Sequence, residues 1–350
     1  MAKSASATDI FSYGDADEPL AHGGDLGAAR RRFPGAPEPF VDLSTGINPN
    51  SYPLPDLAAG IFARLPDADA GRRLAALAAT YYGAPSPAHV VIAPGTQILL
   101  PLVAGLVPSG RAAILAPTYN EHARCAALAG HSVAELRDIG ALGDADLAIV
   151  TNPNSPDGRL IERNALLALA ARLQQHGGLL VVDEAFMDVA PRGFSVAGDV
   201  ARNIIVLRSF GKFFGLAGVR LGFALAPRPL AARLAAMLGP WAVSGPALAI
   251  GAAALSDTAW LERTRHELIE AARRLDALLA DASRDVIGGT TLFRLVRTTA
   301  ASALFDHLGR AGILVRTFTD SGDWLRFGLP GDDAAWHRLE IALSSFHGSR

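Results

Sequence analysis

The chain has 350 residues, 50% hydrophobic and 19% charged, with a formal net charge of −2. This balance argues against a nucleic-acid or membrane partner, and the length predicts roughly two domains with an ample core. The single cysteine, Cys125, excludes an internal disulfide and a cysteine-based metal cluster and is consistent with a cytoplasmic protein.

Residues 1–50 carry many glycines and prolines and no apolar periodicity, and read as an N-terminal arm. The arm contains His22-Gly23-Gly24 and Ser44-Thr45-Gly46-Ile47-Asn48-Pro49-Asn50. Residues 1–24 hold no apolar run after Lys3, so no signal peptide is expected. A helix is expected over 71–82. From there short apolar runs alternate with amphipathic ones. Strands are expected at 90–93, 112–115, 147–151, 179–182, 204–207 and 221–225, with helices at 97–106, 121–128 and 162–175. Such alternation predicts an α/β fold, a large domain over 51–227 with a mostly parallel sheet covered on both faces. Past Pro227 the pattern changes to a small α+β domain, 228–350. It has a long helix at 259–281, strands at 291–296, 313–317 and 324–329, a helix at 300–308 and a last helix from about Asp332. The longest apolar stretch, 242–255, is broken by Ser244, Gly245 and Pro246 and does not predict a membrane span.

Polar clusters follow five of the expected strands: Gly95-Thr96-Gln97, Pro117-Thr118-Tyr119, Asn152-Pro153-Asn154-Ser155, Asp183-Glu184, and Ser209 to Lys212. Ligands on parallel sheets sit at the carboxyl ends of strands, so the five point to one site. Only two lysines exist, Lys3 and Lys212, and Lys212 alone lies in the body of the chain. A lysine, unlike an arginine, can shed its proton and attack a carbonyl to form a Schiff base. A leftover surface lysine is the plainer alternative. Gly95-Thr96-Gln97 either opens a helix that receives a phosphate or is a simple turn. Ser209 and Arg220, three residues before and eight after Lys212, are suited to complete a phosphate cup. A nucleotide P-loop around Gly211-Lys212 fails, because its first glycine falls on Val206 and its hydroxyl residue on Phe213. Asp183 ends an apolar run and needs a partner: a protonated pyridine nitrogen, a helix cap or a metal all qualify. Tyr119 is either a stacking platform for a planar ligand or a core tyrosine, and His122 reads as an exposed helix histidine. Arg316 and Arg326 suit a carboxylate or phosphate, or surface ion pairs.

Taken together and in order, these residues resemble, over about 35–345, the fold-type I pyridoxal-phosphate enzymes of the aspartate aminotransferase superfamily. The resemblance implies a three-layer large domain and pyridoxal 5'-phosphate held by Lys212. Gly95, Thr96, Gln97, Ser209 and Arg220 would grip its phosphate. Asp183 would pair with the pyridine nitrogen and Tyr119 would stack on the ring. The family's Asn-Pro-Thr-Gly motif becomes Asn152-Pro153-Asn154-Ser155-Pro156-Asp157-Gly158, so either Asn154 or Ser155 would meet the phenolic oxygen. Where aminotransferases of this branch carry Asp-Glu-Ala-Tyr, this chain has Asp183-Glu184-Ala185-Phe186. That change, with the His-Gly-Gly, Thr-Gly-Ile-Asn-Pro and Pro-Asp-Gly-Arg runs, resembles the threonine-phosphate decarboxylase branch of cobalamin biosynthesis, close to histidinol-phosphate aminotransferase. The implied reaction is loss of CO2 from O-phospho-L-threonine to give (R)-1-aminopropan-2-ol phosphate, with Lys212 reprotonating the α-carbon. Amino transfer is the alternative. His22, Asn48, Arg316 and Arg326 would hold substrate, Arg326 at the carboxylate and Arg316 near the phosphate. A non-catalytic cofactor-binding regulator of this fold would carry a DNA-binding helix-turn-helix ahead of it, and residues 1–40 do not read as one. The resemblance also implies a cytoplasmic homodimer with no metal. The tyrosine that family members often carry before the proline near Pro66, reaching the neighbour's phosphate, is replaced here by Leu65.

Overall fold

The apolar runs between residues 90 and 225 assemble into one seven-stranded sheet in the computed structural model, which describes residues 22–319 and 321–346. Residues 1–21 of the expected arm, including Lys3, lie outside the described residues. In chain order the strands are Val41–Asp42 (β1), Val90–Ala93 (β2), Arg111–Leu115 (β3), Ser132–Leu136 (β4), Leu147–Thr151 (β5), Leu179–Asp183 (β6), Ile204–Ser209 (β7), Gly222–Leu225 (β8), Asp285–Thr290 (β9), Phe293–Arg297 (β10), Ile313–Leu314 (β11), Arg316–Thr317 (β12) and Trp324–Gly328 (β13). The chain divides into two units. The larger holds residues 47–275 and 287–294; the smaller holds the residues up to 46, 276–286 and those from 295 onward.

In the larger unit the sheet order is β2-β8-β7-β6-β5-β3-β4. Strand β8 runs antiparallel to β2 and β7, and the other pairings are parallel. Six strands therefore finish at one edge. Strands β5 and β6 are buried along their whole length, which explains their unbroken apolar sequences: both faces are covered. Alternate residues Leu147 and Ile149, Leu179 and Val181, and Ile205 and Leu207 share one core with Leu99 and Val103 of the helix Leu99–Ala104. Helices Ala68–Tyr82, Glu121–Leu128 and Arg163–Gln174 stand where helices were expected. Two further helices, Arg228–Leu238 and Gly245–Ser256, lie outside the expected helices. The second is apolar all round; a Cβ on Gly251 would lie 2.6 Å from Leu221 and 3.3 Å from Leu74, so a small residue lets this helix approach Ala68–Tyr82. Strand β4 was not expected, because Ser-Val-Ala-Glu-Leu is a sheet-edge strand with only partial burial.

A second sheet runs β12-β13-β10-β9, and β1 pairs in parallel with β11. The expected strand 313–317 is two strands. Ile313–Leu314 joins β1, whereas Arg316–Thr317 turns to pair antiparallel with β13. The expected strand 291–296 is the second half of a hairpin, and Gly288 and Gly289 hide the apolar alternation of the first half. Among the described residues no helix is long and apolar enough to cross a membrane.

Candidate active site

The carboxyl edge of the large sheet gathers all five polar clusters. Ser209 ends β7 and is paired across the ladder with Gly222, the first residue of β8, which in turn is paired with Ala93 at the end of β2. A Cβ on Gly222 would lie 2.7 Å from the Thr96 backbone nitrogen, and one on Gly95 would lie 2.6 Å from Arg220 Nη2. Gly95 holds φ +86, a conformation glycine adopts without strain. The turn at 95–96 and the segment 209–222 thus bring Gly95, Thr96, Ser209 and Arg220 together, and Gly222 approaches the Thr96 backbone too closely for a side chain. Arg220 sits at φ 54 and its Nη1 donates to Ala217 O at 3.1 Å, which anchors the guanidinium at this corner.

Lys212 lies on the one-turn helix Phe210–Phe213 that follows Ser209. The turn is pinned by Asn48. Asn48 N donates to Lys212 O at 3.0 Å, and Asn48 Nδ2 donates to Phe213 O at 2.9 Å. Asn48 is 1% exposed, and its Oδ1 accepts from Asn50 N at 2.9 Å. Asn48 thus acts on the backbone of Lys212's turn. Beside the amine is Phe186, buried, with its ring centroid 5.4 Å from Lys212 Nζ. Phe293 closes on Phe186 edge-on at 5.2 Å.

Asp183 is the last residue of β6, between Thr151 of β5 and Leu207 of β7. Its Oδ1 accepts from Ala185 N at 3.0 Å, and its Oδ2 accepts from His122 Nε2 at 3.0 Å. His122 is buried at 2% exposure rather than exposed on its helix, so sequence reading missed its role. Its spacing of three from Tyr119, on the first turn of Glu121–Leu128, was the available signal. Tyr119 meets His122 edge-on at 5.9 Å and is itself 39% exposed. Its hydroxyl donates to Gln97 Oε1 at 3.1 Å, and Gln97 Nε2 donates to Glu121 Oε2 at 2.9 Å. Gln97 therefore ties the Gly95-Thr96 turn to the Tyr119 turn through its side chain.

Asn154 is fully buried. Its Nδ2 donates to Pro117 O at 2.8 Å and to Asp157 Oδ1 at 2.7 Å, which commits both amide hydrogens. Its Oδ1 is buried with no hydrogen-bond partner among the described residues. Ser155 follows, half-buried. Opposite Asp183 and Ser209 on β6 and β7, Arg208 bonds Glu184 at 2.9 Å and Asp188 at 3.2 Å in a buried network. Burial pushes the Glu184 carboxyl up against the opposing pull of Arg208.

His22, Arg316 and Arg326 belong to the smaller unit. Arg316 and Arg326 are cross-strand partners on β12 and β13. Arg326, 7% exposed, donates through Nη2 to Ser44 O at 2.8 Å. Burial, and then the Arg316 charge, pushes Arg326 down to about 9, against an upward pull from Asp42. The Ser44 carbonyl is set by its neighbours: Ser44 N and Oγ donate to Asp42 Oδ1 at 2.9 and 2.5 Å, and Gly24 N donates to Ser44 Oγ at 2.8 Å. A Cβ on Gly23 would lie 2.5 Å from that carbonyl oxygen. The His22-Gly23-Gly24 run is thus a strap whose glycines permit contact with the residue that orients Arg326.

These residues fit a phosphorylated pyridine cofactor. The cradle at Gly95, Thr96 and Gly222 admits no side chain, a carboxylate with its own buried histidine stands beyond it, the amine of Lys212 rises from the same edge, and Asn154 presents a buried acceptor lacking a protein donor. The comparisons agree. Residues 43–339 match the model of the aminotransferase class I and II family. The chain is 44% identical over 330 residues to a Pseudomonas aeruginosa protein named threonine-phosphate decarboxylase, covering 93% of this chain and 98% of that one. It is 45% identical over 331 residues to a Sinorhizobium protein of the same name, again covering 93% and 98%. Among solved structures, histidinol-phosphate aminotransferase from Sinorhizobium meliloti in complex with pyridoxal-5'-phosphate superposes with a TM-score of 0.81 at 23% identity, over 97% of this chain and 98% of that one. With its strand-end clusters on one edge and a family match spanning both units, the chain belongs to the aminotransferase class I and II family.

Proposed function

We propose that this protein is a pyridoxal-phosphate-dependent decarboxylase that converts O-phospho-L-threonine to (R)-1-aminopropan-2-ol phosphate, a step of cobalamin biosynthesis. The observation that carries the reading is Phe186 beside Lys212: the ring gives the amine an apolar neighbour with no hydroxyl. The 44% and 45% identities to proteins named threonine-phosphate decarboxylase support the same choice.

When bound, pyridoxal phosphate supplies an electron sink conjugated to the substrate's α-carbon. Gly95, Thr96, Ser209 and Arg220 hold its phosphate, with Gln97 bracing that turn. Asp183, backed by His122, holds positive charge at the ring nitrogen, and Tyr119 covers the ring. Both Asn154 amide hydrogens are committed, which favours the Ser155 hydroxyl over Asn154 as the donor to the phenolic oxygen. Lys212 Nζ anchors the cofactor and then returns a proton to the α-carbon that has lost CO2; the face of Phe186 stabilises the charged amine. Arg326 takes the substrate carboxylate and Arg316 its phosphate, His22 lies at the strap that sets Arg326, and Asn48 fixes the turn of Lys212.

A homodimer is supported by Leu54, Phe62 and Leu65, exposed at 63%, 68% and 67%, apolar side chains that a second copy would cover. A cytoplasmic location is supported by the single, buried thiol of Cys125.

The deciding experiment incubates purified holoenzyme with O-phospho-L-threonine and no keto acid. Release of CO2 matched by the amino-alcohol phosphate is expected. Inertness toward O-phospho-L-threonine together with glutamate-dependent conversion of the cofactor to its amine form would instead make the protein an aminotransferase, the activity named for its Sinorhizobium meliloti structural neighbour.

A further inference from the structure

We propose that Arg159 is a specificity-determining residue that grips the phosphoryl group of the substrate, on a turn built for that purpose by Pro156-Asp157-Gly158-Arg159; the assignment rests on the decarboxylase reading above.

The loop from 152 to 161 is closed at its base by Asn152, whose Oδ1 accepts from Ile161 N at 2.9 Å and whose Nδ2 donates to Ile161 O at 3.1 Å. Inside it, Asn154 N donates to Arg159 O at 2.8 Å, and Gly158 N donates to Asn154 O at 2.9 Å. Asp157 Oδ1 accepts from Arg159 N at 3.0 Å and from Asn154 Nδ2. The one acid of the turn is spent on main chain and on Asn154, and among the described residues the Arg159 guanidinium has no carboxylate partner. The turn is also fixed from outside. Gly158, at φ +73, abuts the Gly289 carbonyl so closely that any Cβ would collide with it, and a Cβ on Gly288 would collide with Asp157 O. The next residues of that hairpin lead to Phe293, which packs on Phe186 beside Lys212. Arg159 is thus carried on a rigid element packed into the neighbourhood of the reactive amine.

Two nitrogens of Arg159, Nε and Nη2, are buried with no hydrogen-bond acceptor among the described residues. These two form the side-on edge of the guanidinium, the edge that meets two oxygens of one anion in parallel bonds. At neutral pH an arginine stays charged when buried, so donors buried without an acceptor are costly unless an anion completes them. Arg208, a buried arginine of the same unit, leaves only its Nε without an acceptor and bonds two carboxylates through its terminal nitrogens. Five residues earlier in the same turn the buried Asn154 Oδ1 is also unpartnered. Of the two anionic groups on O-phospho-L-threonine, the phosphoryl is a dianion with three equivalent oxygens, and its charge calls for more than one cation. The Pro-Asp-Gly-Arg run thus selects phosphorylated over plain amino-acid substrates.

The test uses the holoenzyme and its Arg159→Met and Arg159→Lys variants, with kcat and KM for O-phospho-L-threonine, inhibition constants for inorganic phosphate and O-phosphoethanolamine, and the cofactor absorbance band. Arg159→Met should raise KM and both inhibition constants by about 30-fold or more, with kcat changed by less than about threefold and the band retained. Arg159→Lys, which keeps the charge and loses the fork, should recover part of the loss. Unchanged KM and inhibition constants in Arg159→Met would overturn the proposal. So would an equal loss of affinity for unphosphorylated L-threonine, which would place the contact at the carboxylate. If Arg159→Met fails to fold, Arg159→Lys decides: affinities equal to the parent's overturn the assignment. O-Phosphoethanolamine binding, read from the cofactor band, keeps this test separate from the decarboxylase reading, which fails only if the parent enzyme releases no CO2.

Discussion

His122 Nε2 donates to Asp183 Oδ2 at 3.0 Å, and the histidine that makes this bond is almost wholly buried on the first turn of its helix. Asp183 ends β6 with one oxygen on the Ala185 amide and the other on this ring, so its orientation is set before any ligand arrives. A charge-assisted bond of this kind contributes about 1.5–3 kcal/mol. His122→Ala should lower kcat/KM by roughly tenfold to a hundredfold and weaken cofactor retention, with His122→Asn intermediate. Parent-like kinetics and cofactor content in His122→Ala would show that the pair does not position Asp183.

Lys212→Ala should remove both the visible absorbance band of the holoenzyme and CO2 release, because no other lysine lies in the body of the chain to replace it. Spectrophotometry and a carbon dioxide assay on the same preparation check this, and retained turnover would contradict the central assignment.

Phe186→Tyr places a hydroxyl at the ring that faces Lys212 Nζ, currently 5.4 Å from the ring centroid. We expect CO2 release to fall by about tenfold or more, equivalent to about 1.4 kcal/mol, and keto-acid-dependent amino transfer to appear. Product analysis by mass spectrometry distinguishes the two reactions; an unaltered product ratio would remove Phe186 from the choice of reaction.

Arg326 is held by burial and by Arg316 at about 9, well below the usual arginine range. Above that pH the folded protein sheds a proton that the unfolded chain keeps. Stability from this group therefore rises between about 9 and the unfolded arginine value, while the positive charge available to a carboxylate is lost. KM for O-phospho-L-threonine should be level from pH 7 to 8 and climb above pH 9, toward about tenfold per pH unit. Arg326→Gln should have a high KM without that alkaline limb. A flat parent profile to pH 10 would detach Arg326 from the substrate carboxylate.

Gly158→Ala should destabilise the protein by about 1–3 kcal/mol, since a Cβ at φ +73 is strained and would strike the Gly289 carbonyl. Thermal unfolding monitored by circular dichroism gives the shift; an unchanged midpoint would mean that the two backbones separate at no cost.

Much of the large unit is legible from its sequence because parallel strands buried on both faces must be continuously apolar. β5 and β6 end within a residue of where their apolar runs end, and the polar residues that follow are the candidate site. Lys212 stands out by scarcity, and Phe186 by the motif it breaks. The edge strand β4, the helix Gly245–Ser256 and the glycine-bearing strand β9 carry no comparable period, so their structure depends on neighbours rather than on pattern.

What the sequence determined by itself was the alternation of the buried parallel strands with their helices, the lysine, and the residue types at those strand ends, since these follow from local period and composition. Tertiary structure alone decided which of them meet. The antiparallel β8 carries Arg220 and Gly222 to the corner where Gly95 and Ser209 end their own segments. Folding also buried His122 behind Asp183 and left the side-on edge of Arg159 without an acceptor among the described residues. Burial and hydrogen-bond satisfaction are properties of all the groups around an atom, and those groups come from residues tens to more than a hundred positions apart.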